Sequence, residues 1–267
     1  MFRHADARLR WRWRWCSIAA MQLSRRAIVA STAMLAAAPA LAKRVAFAPA
    51  TIRAEGTTPQ FRAALEALTQ RARAEIEAWG WPAITLCLTG PNGQVGVASV
   101  GFSNRDSRTP VTPAHLFHIG SISKSFVAAA LLRLSDMGRI DLDRPLLEIA
   151  PDYPLEDRRV TVAHVLDHAA GFPGNSPPFA NIPGGKLWSA WEPGSRFSYS
   201  NTGYDLLGLL VARISGLPFG EAMESLLLRP LGMTATKPTI QIIDRALFAG
   251  GYTPLRFELP YFPGDPL

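Results

Sequence analysis

Ser121 and Lys124 stand three residues apart at the head of an apolar run, Val127-Ala128-Ala129-Ala130-Leu131-Leu132 with Leu134, that ends at Met137-Gly138. The run reads as a helix with a hydroxyl at its mouth. In a helix of about 3.6 residues per turn, positions three apart lie one turn apart on the same side, so the hydroxyl and the amine meet. A serine hydroxyl becomes a nucleophile when a neighbouring base takes its proton. An amine with a reference pKa of about 10.4 serves as that base when burial or nearby positive charge lowers the value. The apolar helix offers such burial.

A Ser-x-x-Lys tetrapeptide occurs by chance about once in a chain of this length. Its bland interpretation is a helix N-cap followed by a solvated lysine. Composition weighs against that: the chain has four lysines (Lys43, Lys124, Lys186, Lys237) and 24 arginines. Arginine stays protonated and cannot act as a base, whereas lysine can, so a lysine inside an apolar segment of an arginine-preferring chain is notable.

The elements that must position these residues follow from periodicity. Thr58-Pro59 reads as an N-cap with proline at the first helical position. Phe61, Leu65, Leu68, Ala72, Ile76 and Trp79 then recur at helical spacing until Gly80. Residues 83–89 and 94–102 are β-rich and flank Gly90-Pro91-Asn92-Gly93, a hairpin signal; residues 43–57 read as an extended tail. Leu142 to Pro154 reads as irregular, Val162 to His168 as a short helical turn, and 171–187 as a long Gly/Pro/Asn-rich loop. An apolar helix from Tyr204 to Ile214 is closed by Gly216, and another from about Pro218 to Leu228 stops at Arg229-Pro230. Nothing regular is expected after Lys237. Residues 43–267 read as one domain without internal repeats.

The formal charge of +7 is concentrated at the start: seven arginines and one acid precede Lys43, leaving the body at +1. That excludes a basic nucleic-acid-binding face. Residues 21–42 have the parts of a secretory signal: Ser24-Arg25-Arg26, the apolar stretch Ala27 to Ala38, and the small-residue site Ala40-Leu41-Ala42. The paired arginines resemble a twin-arginine export signal. The expected result is a periplasmic or secreted protein without stable membrane insertion after cleavage. Residues 1–20 read as a leader extension or as an upstream start. Cys16 lies in the leader, and Cys87, in a strand-like run, is expected to be a buried, inert thiol.

Four separated segments then agree: Phe117 to Phe126, Val165 to Pro173, Phe197 to Leu207, and Leu226 to Met233. Together they resemble the β-lactamase-related serine hydrolases, the family of class C β-lactamases, D-alanyl-D-alanine peptidases and esterase-like relatives. Ser121-x-x-Lys124 matches the first family motif and Tyr199-x-Asn201 the second, in order. The resemblance implies an α/β (α+β) fold of the β-lactamase/transpeptidase type: a mixed antiparallel sheet with flanking helices plus an all-helical part, with the site between. It makes Ser121 the acyl-bearing nucleophile, Lys124 its base, Tyr199 a proton relay and Asn201 a substrate-orienting amide. No cofactor or metal is implied. On the residues alone, Tyr199 is equally a packed aromatic and Asn201 an N-cap.

His168 invites a triad with Asp167 or Asp205, but the lysine already supplies a base, which favours a hydrogen-bonded structural histidine. His164 and His168, four apart, have no accompanying glutamate in a zincin pattern. The third family motif, Lys-Thr-Gly or His-x-Gly, has no match: no histidine follows His168, and the only later lysine lies in Lys237-Pro238-Thr239, where proline cannot donate a ladder hydrogen bond. The expectation is an incomplete sheet and a domain lacking its C-terminal part. The expected function is hydrolysis of an ester, amide or β-lactam in a small-molecule or peptide substrate through an acyl-enzyme. The alternative is a truncated homologue that binds peptidoglycan-like ligands or is inactive.

Overall fold

The computed structural model describes residues 50–177, 184–239 and 242–252. The leader and signal segment expected over residues 1–42 lie outside the described residues.

The first layer is an antiparallel sheet with one helix on it. β1 (Thr51–Glu55) precedes α1 (Pro59–Trp79), and β2 (Ala83–Thr89) and β3 (Val95–Asn104) follow, giving the strand order β1-β3-β2. β4 (Thr109–Pro110) pairs with the far end of β3. The hairpin between β2 and β3 turns where expected, with Asn92 and Gly93 both at positive φ and the Gly90 amide donating to the Gln94 carbonyl at 2.9 Å. β1 corrects the expected extended tail. All five of its residues are exposed, so no apolar alternation marks the strand; its main chain pairs with β3 from Thr51↔Ser99 to Glu55↔Val95.

α1 has the expected ends. Thr58 Oγ1 accepts from the Phe61 amide at 3.3 Å, and Gly80, at φ 68°, donates its amide to the Ile76 carbonyl. Its stripe differs from the expected one: Phe61, Leu65, Thr69, Ala72 and Ile76 are buried, whereas Leu68 and Trp79 are 42% and 70% exposed. Thr69 can occupy a core position because its hydroxyl donates to the Leu65 carbonyl at 2.7 Å, leaving no polar group unpaired. Beneath Leu65 lies Gly96, where a Cβ would come within 2.6 Å of a leucine methyl; glycine lets the helix settle on the sheet.

Cys87 is exposed, which overturns the buried-thiol expectation. In a strand alternate side chains take opposite faces. Ile84 and Leu86 pack toward Ala72, Ile76 and Val100 under α1, so Cys87, one residue out of step, lies on the other face opposite Val97.

The second part is helical. α2 (Ser123–Asp136) is the apolar helix expected after Ser121. α3 (Leu146–Ile149) is a short helix where irregular chain was expected, and α4 (Val162–Leu166) is the expected short turn. α5 (Asn201–Ser215) starts three residues before the apolar run that announced it and ends at Gly216, φ 73°. α6 (Phe219–Met223) continues into a π-helical turn, Glu224–Leu228, before Arg229. A 3₁₀ turn, Ile242–Leu247, stands where no element was expected. It leads into Ala249 and Gly250, whose amides donate to Leu116 and Ser103 carbonyls at 2.9 and 2.7 Å.

These helices share one hydrophobic cluster, in which Leu131, Leu134, Leu146, Leu206, Leu207 and Leu210 are fully buried. A smaller cluster of Ala72, Ile76 and Val100 lies between α1 and the sheet. Each fully buried leucine contributes roughly 1.5–3 kcal/mol, against about 1 kcal/mol for a typical hydrogen bond. Packing therefore fixes where the helices lie, and polar contacts adjust the side chains they carry.

Candidate active site

Ser121 lies in a 3₁₀ turn, Gly120–Ile122, that runs directly into α2, and Lys124 is in the first turn of that helix. Packing of α2 against α5 brings the start of α5 opposite. The chain enters α5 through Tyr199 and Ser200, and Asn201 is its first residue. The four side chains expected to form a site meet there. The Ser121 hydroxyl is 2.6 Å from the Tyr199 hydroxyl, and Lys124 Nζ donates to Ser121 Oγ at 3.3 Å and to Asn201 Oδ1 at 2.6 Å.

Neither alternative assignment, Tyr199 as a packed aromatic or Asn201 as an N-cap, matches the structure. Tyr199 is 44% exposed and is not a core aromatic. The N-cap of α5 is Ser200, whose Oγ accepts from the Gly203 amide at 2.9 Å while donating to the Pro173 carbonyl at 2.7 Å. With the cap supplied by its neighbour, the Asn201 amide is available to face Lys124.

The electrostatics centre on the lysine. Lys124 Nζ lies 4.9 Å from the Tyr199 ring centroid and 5.7 Å from that of Tyr204. Both distances are within cation–π reach. Lys124, first, and the Ser121 hydroxyl, second, hold the Tyr199 phenol below its ordinary value of 10.0, because both favour the phenolate. The Tyr204 hydroxyl donates to the Leu166 carbonyl at 2.9 Å, and burial pushes its acidity in the opposite direction. Two tyrosines beside one lysine are thus shifted in opposite directions.

His168 is a support for this arrangement. Its ring lies 4.6 Å from that of Tyr199 and 4.9 Å from that of Tyr204. Its Nδ1 accepts from the Ser200 amide at 3.1 Å, and its carbonyl accepts from the Ser198 amide at 2.7 Å. The nitrogen that a triad would direct at a carboxylate is thereby engaged by backbone. His164 closes a capping box at α4: its amide donates to Thr161 Oγ1 and its Nδ1 accepts from the Thr161 amide. Lys237 lines a small apolar groove with Ile119, Ser123, Phe126 and Phe219, beside the end of α2 that carries the serine.

Two participants were not legible in the sequence. Tyr204 reads there only as the first apolar residue of a helix. Asn175 reads as one more turn-forming residue in a Gly/Pro loop, yet its Oδ1 accepts from Asn201 Nδ2 at 2.5 Å. A polar residue directly after Gly171-Phe172-Pro173-Gly174 was the available signal.

A sheet carrying one helix, beside a helical part that presents serine, lysine and tyrosine in mutual hydrogen-bond contact, defines the β-lactamase/transpeptidase-like fold. Comparison with known proteins agrees. The chain matches the Beta-lactamase family over residues 64–265. It is 30% identical over 171 residues to a β-lactamase of Pseudomonas fluorescens, covering 60% of this chain and 47% of that one. To esterase EstB of Burkholderia gladioli it is 30% identical over 194 residues, covering 62% and 46%. Among solved structures, a β-lactamase/D-alanine carboxypeptidase from Pseudomonas syringae superposes with a TM-score of 0.65 at 30% identity, covering 75% of this chain and 59% of that one. The chain belongs to the β-lactamase-related serine hydrolase family. It spans about half the length of the curated relatives it matches.

Proposed function

We propose that this protein is an exported serine hydrolase that forms an acyl-enzyme on Ser121. The observation that carries the proposal is the contact of one hydroxyl with both partners of a proton transfer, Tyr199 at 2.6 Å and Lys124 at 3.3 Å. Lys124, in its unprotonated form, takes the proton as Ser121 Oγ attacks the substrate carbonyl carbon. The Asn201 Oδ1 at 2.6 Å stabilises the ammonium that results. The Ser121 amide, in the turn that opens α2, serves as one oxyanion donor. Tyr199 passes a proton to the departing alkoxide or amine and afterwards relays one from water, which then attacks the acyl carbon. The acid is released and Ser121 is regenerated. Asn201 Nδ2 retains one hydrogen for a substrate carbonyl.

The matched relatives include β-lactamases and an esterase, and the solved ones a D-amino acid amidase from Ochrobactrum anthropi at 28% identity and a TM-score of 0.58. The substrate class is therefore an ester, amide or β-lactam carried by a small molecule or peptide. Export rests on residues 21–42 of the sequence, with Arg25-Arg26 as a twin-arginine signal and release into the periplasm or medium.

The test is covalent labelling. The purified chain is expected to take up a fluorophosphonate at Ser121 and to lose that labelling in the Ser121→Ala variant. Undiminished labelling of that variant would place the nucleophile elsewhere.

A further inference from the structure

Resting on that nucleophile assignment, we infer that Asn175 is a positioning residue for the base: it fixes the orientation of the Asn201 amide and, through it, of Lys124. The chain of donors and acceptors runs one way. Lys124 Nζ donates to Asn201 Oδ1 at 2.6 Å, so the amide oxygen of Asn201 faces the lysine. Its Nδ2 then faces the opposite way, where Asn175 Oδ1 accepts at 2.5 Å. Without an acceptor there, the Asn201 amide is free to rotate by half a turn and present its NH₂ to the lysine. Neutral lysine tolerates that orientation; the ammonium formed when Ser121 gives up its proton does not. Asn175 thereby favours the state reached in the transition state over the ground state, which is the condition for accelerating the step.

The position of Asn175 is built rather than incidental, because the loop on both sides of it is tied to the first turn of α5. The Pro173 carbonyl accepts from Ser200 Oγ at 2.7 Å, and the Gly174 carbonyl from the Asn201 amide at 2.8 Å. Beyond it, the Ser176 amide donates to Thr202 Oγ1 at 2.9 Å, and the same hydroxyl donates to the Ser176 carbonyl at 2.8 Å. Thr202 is fully buried. None of these four bonds uses the Asn175 side chain, so replacing it leaves the loop attached.

The test measures the rate of labelling by a fluorophosphonate, which carries no amide for Asn201 to bind. Asn175→Leu is expected to slow labelling by about tenfold, the effect of losing one hydrogen bond to a charge-bearing network. Asn175→Asp, whose carboxylate only accepts, is expected to recover the rate to within about threefold. In an Asn201→Ala background, adding Asn175→Leu is expected to change the rate by less than about twofold, because the residue acts only through Asn201. Wild-type speed in Asn175→Leu overturns the inference, as does an equal loss with and without Asn201, or an aspartate variant no faster than the leucine one. A wild-type chain that takes no label overturns the nucleophile assignment and this inference together.

Discussion

Tyr199 joins the two halves of the proposed chemistry, since its hydroxyl touches the nucleophile and its ring flanks the base. If it delivers the proton that the leaving group needs, its removal affects substrates unequally. An alkoxide leaves poorly without a proton, whereas p-nitrophenolate departs unaided. Tyr199→Phe is therefore expected to slow hydrolysis of an alkyl ester by roughly 10²–10⁴-fold and that of the matching p-nitrophenyl ester much less. Equal losses on both would remove the relay role. His168 gives a second expectation. Burial first, and Lys124 second, hold it below its ordinary value of 6.5, against the opposing pull of Asp167. It is thus neutral in the folded chain at pH values where the unfolded chain would protonate it. Its contribution to stability is whole above pH 6.5 and is lost as pH falls from there through the lowered folded value. His168→Gln keeps an acceptor for the Ser200 amide without titrating, and urea denaturation of this variant should lose that part of the pH slope. Ser121, Lys124, Tyr199 and Asn201 were legible because each belongs to a short spaced motif. Asn175 was not, because its partner is 26 positions away and its meaning depends on which way an amide turns.

At the scale of elements, the boundaries were legible where a single residue enforces them. Thr58-Pro59 and Gly80 delimit α1, and Gly216 closes α5, because caps and left-handed positions are local. β1 was not legible, since the exposed Thr51–Glu55 gains its identity only from main-chain pairing with β3. Nor was the start of α5, where Ser200 caps the helix and simultaneously ties down Pro173. That double duty yields a third expectation. Ser200→Ala removes an N-cap, which costs about 1 kcal/mol, and also leaves the Pro173 carbonyl without its donor. A total loss of about 2 kcal/mol is expected, measured as a lowered urea midpoint at unchanged slope. Labelling at Ser121 should slow as well, because the same residue holds Tyr199 and Asn201 on either side of it. A variant as stable as wild type would show that the helix start is held by packing alone.

On the scale of the molecule, the α+β class and its mixed composition were readable from the change along the chain, from helical period over Pro59–Trp79 to β-rich runs over 83–89 and 94–102. What the pattern could not convey is that the two parts keep separate cores. Ala72, Ile76 and Val100 form one cluster, while Leu131, Leu146, Leu206 and their neighbours form the other. Ser121, Lys124, Tyr199 and Asn201 all hang from elements of the second. The two parts need not open together, and sub-global opening is the usual way a protein samples partly unfolded states. Amides of β1 and β2 are expected to exchange with solvent deuterium at lower denaturant cost than those of α2 and α5. Identical exchange free energies in both would show one cooperative unit. If the strands open first, the proposed nucleophile outlasts its own sheet: a chain that has shed its strands would still hold Ser121 against Lys124 and Tyr199.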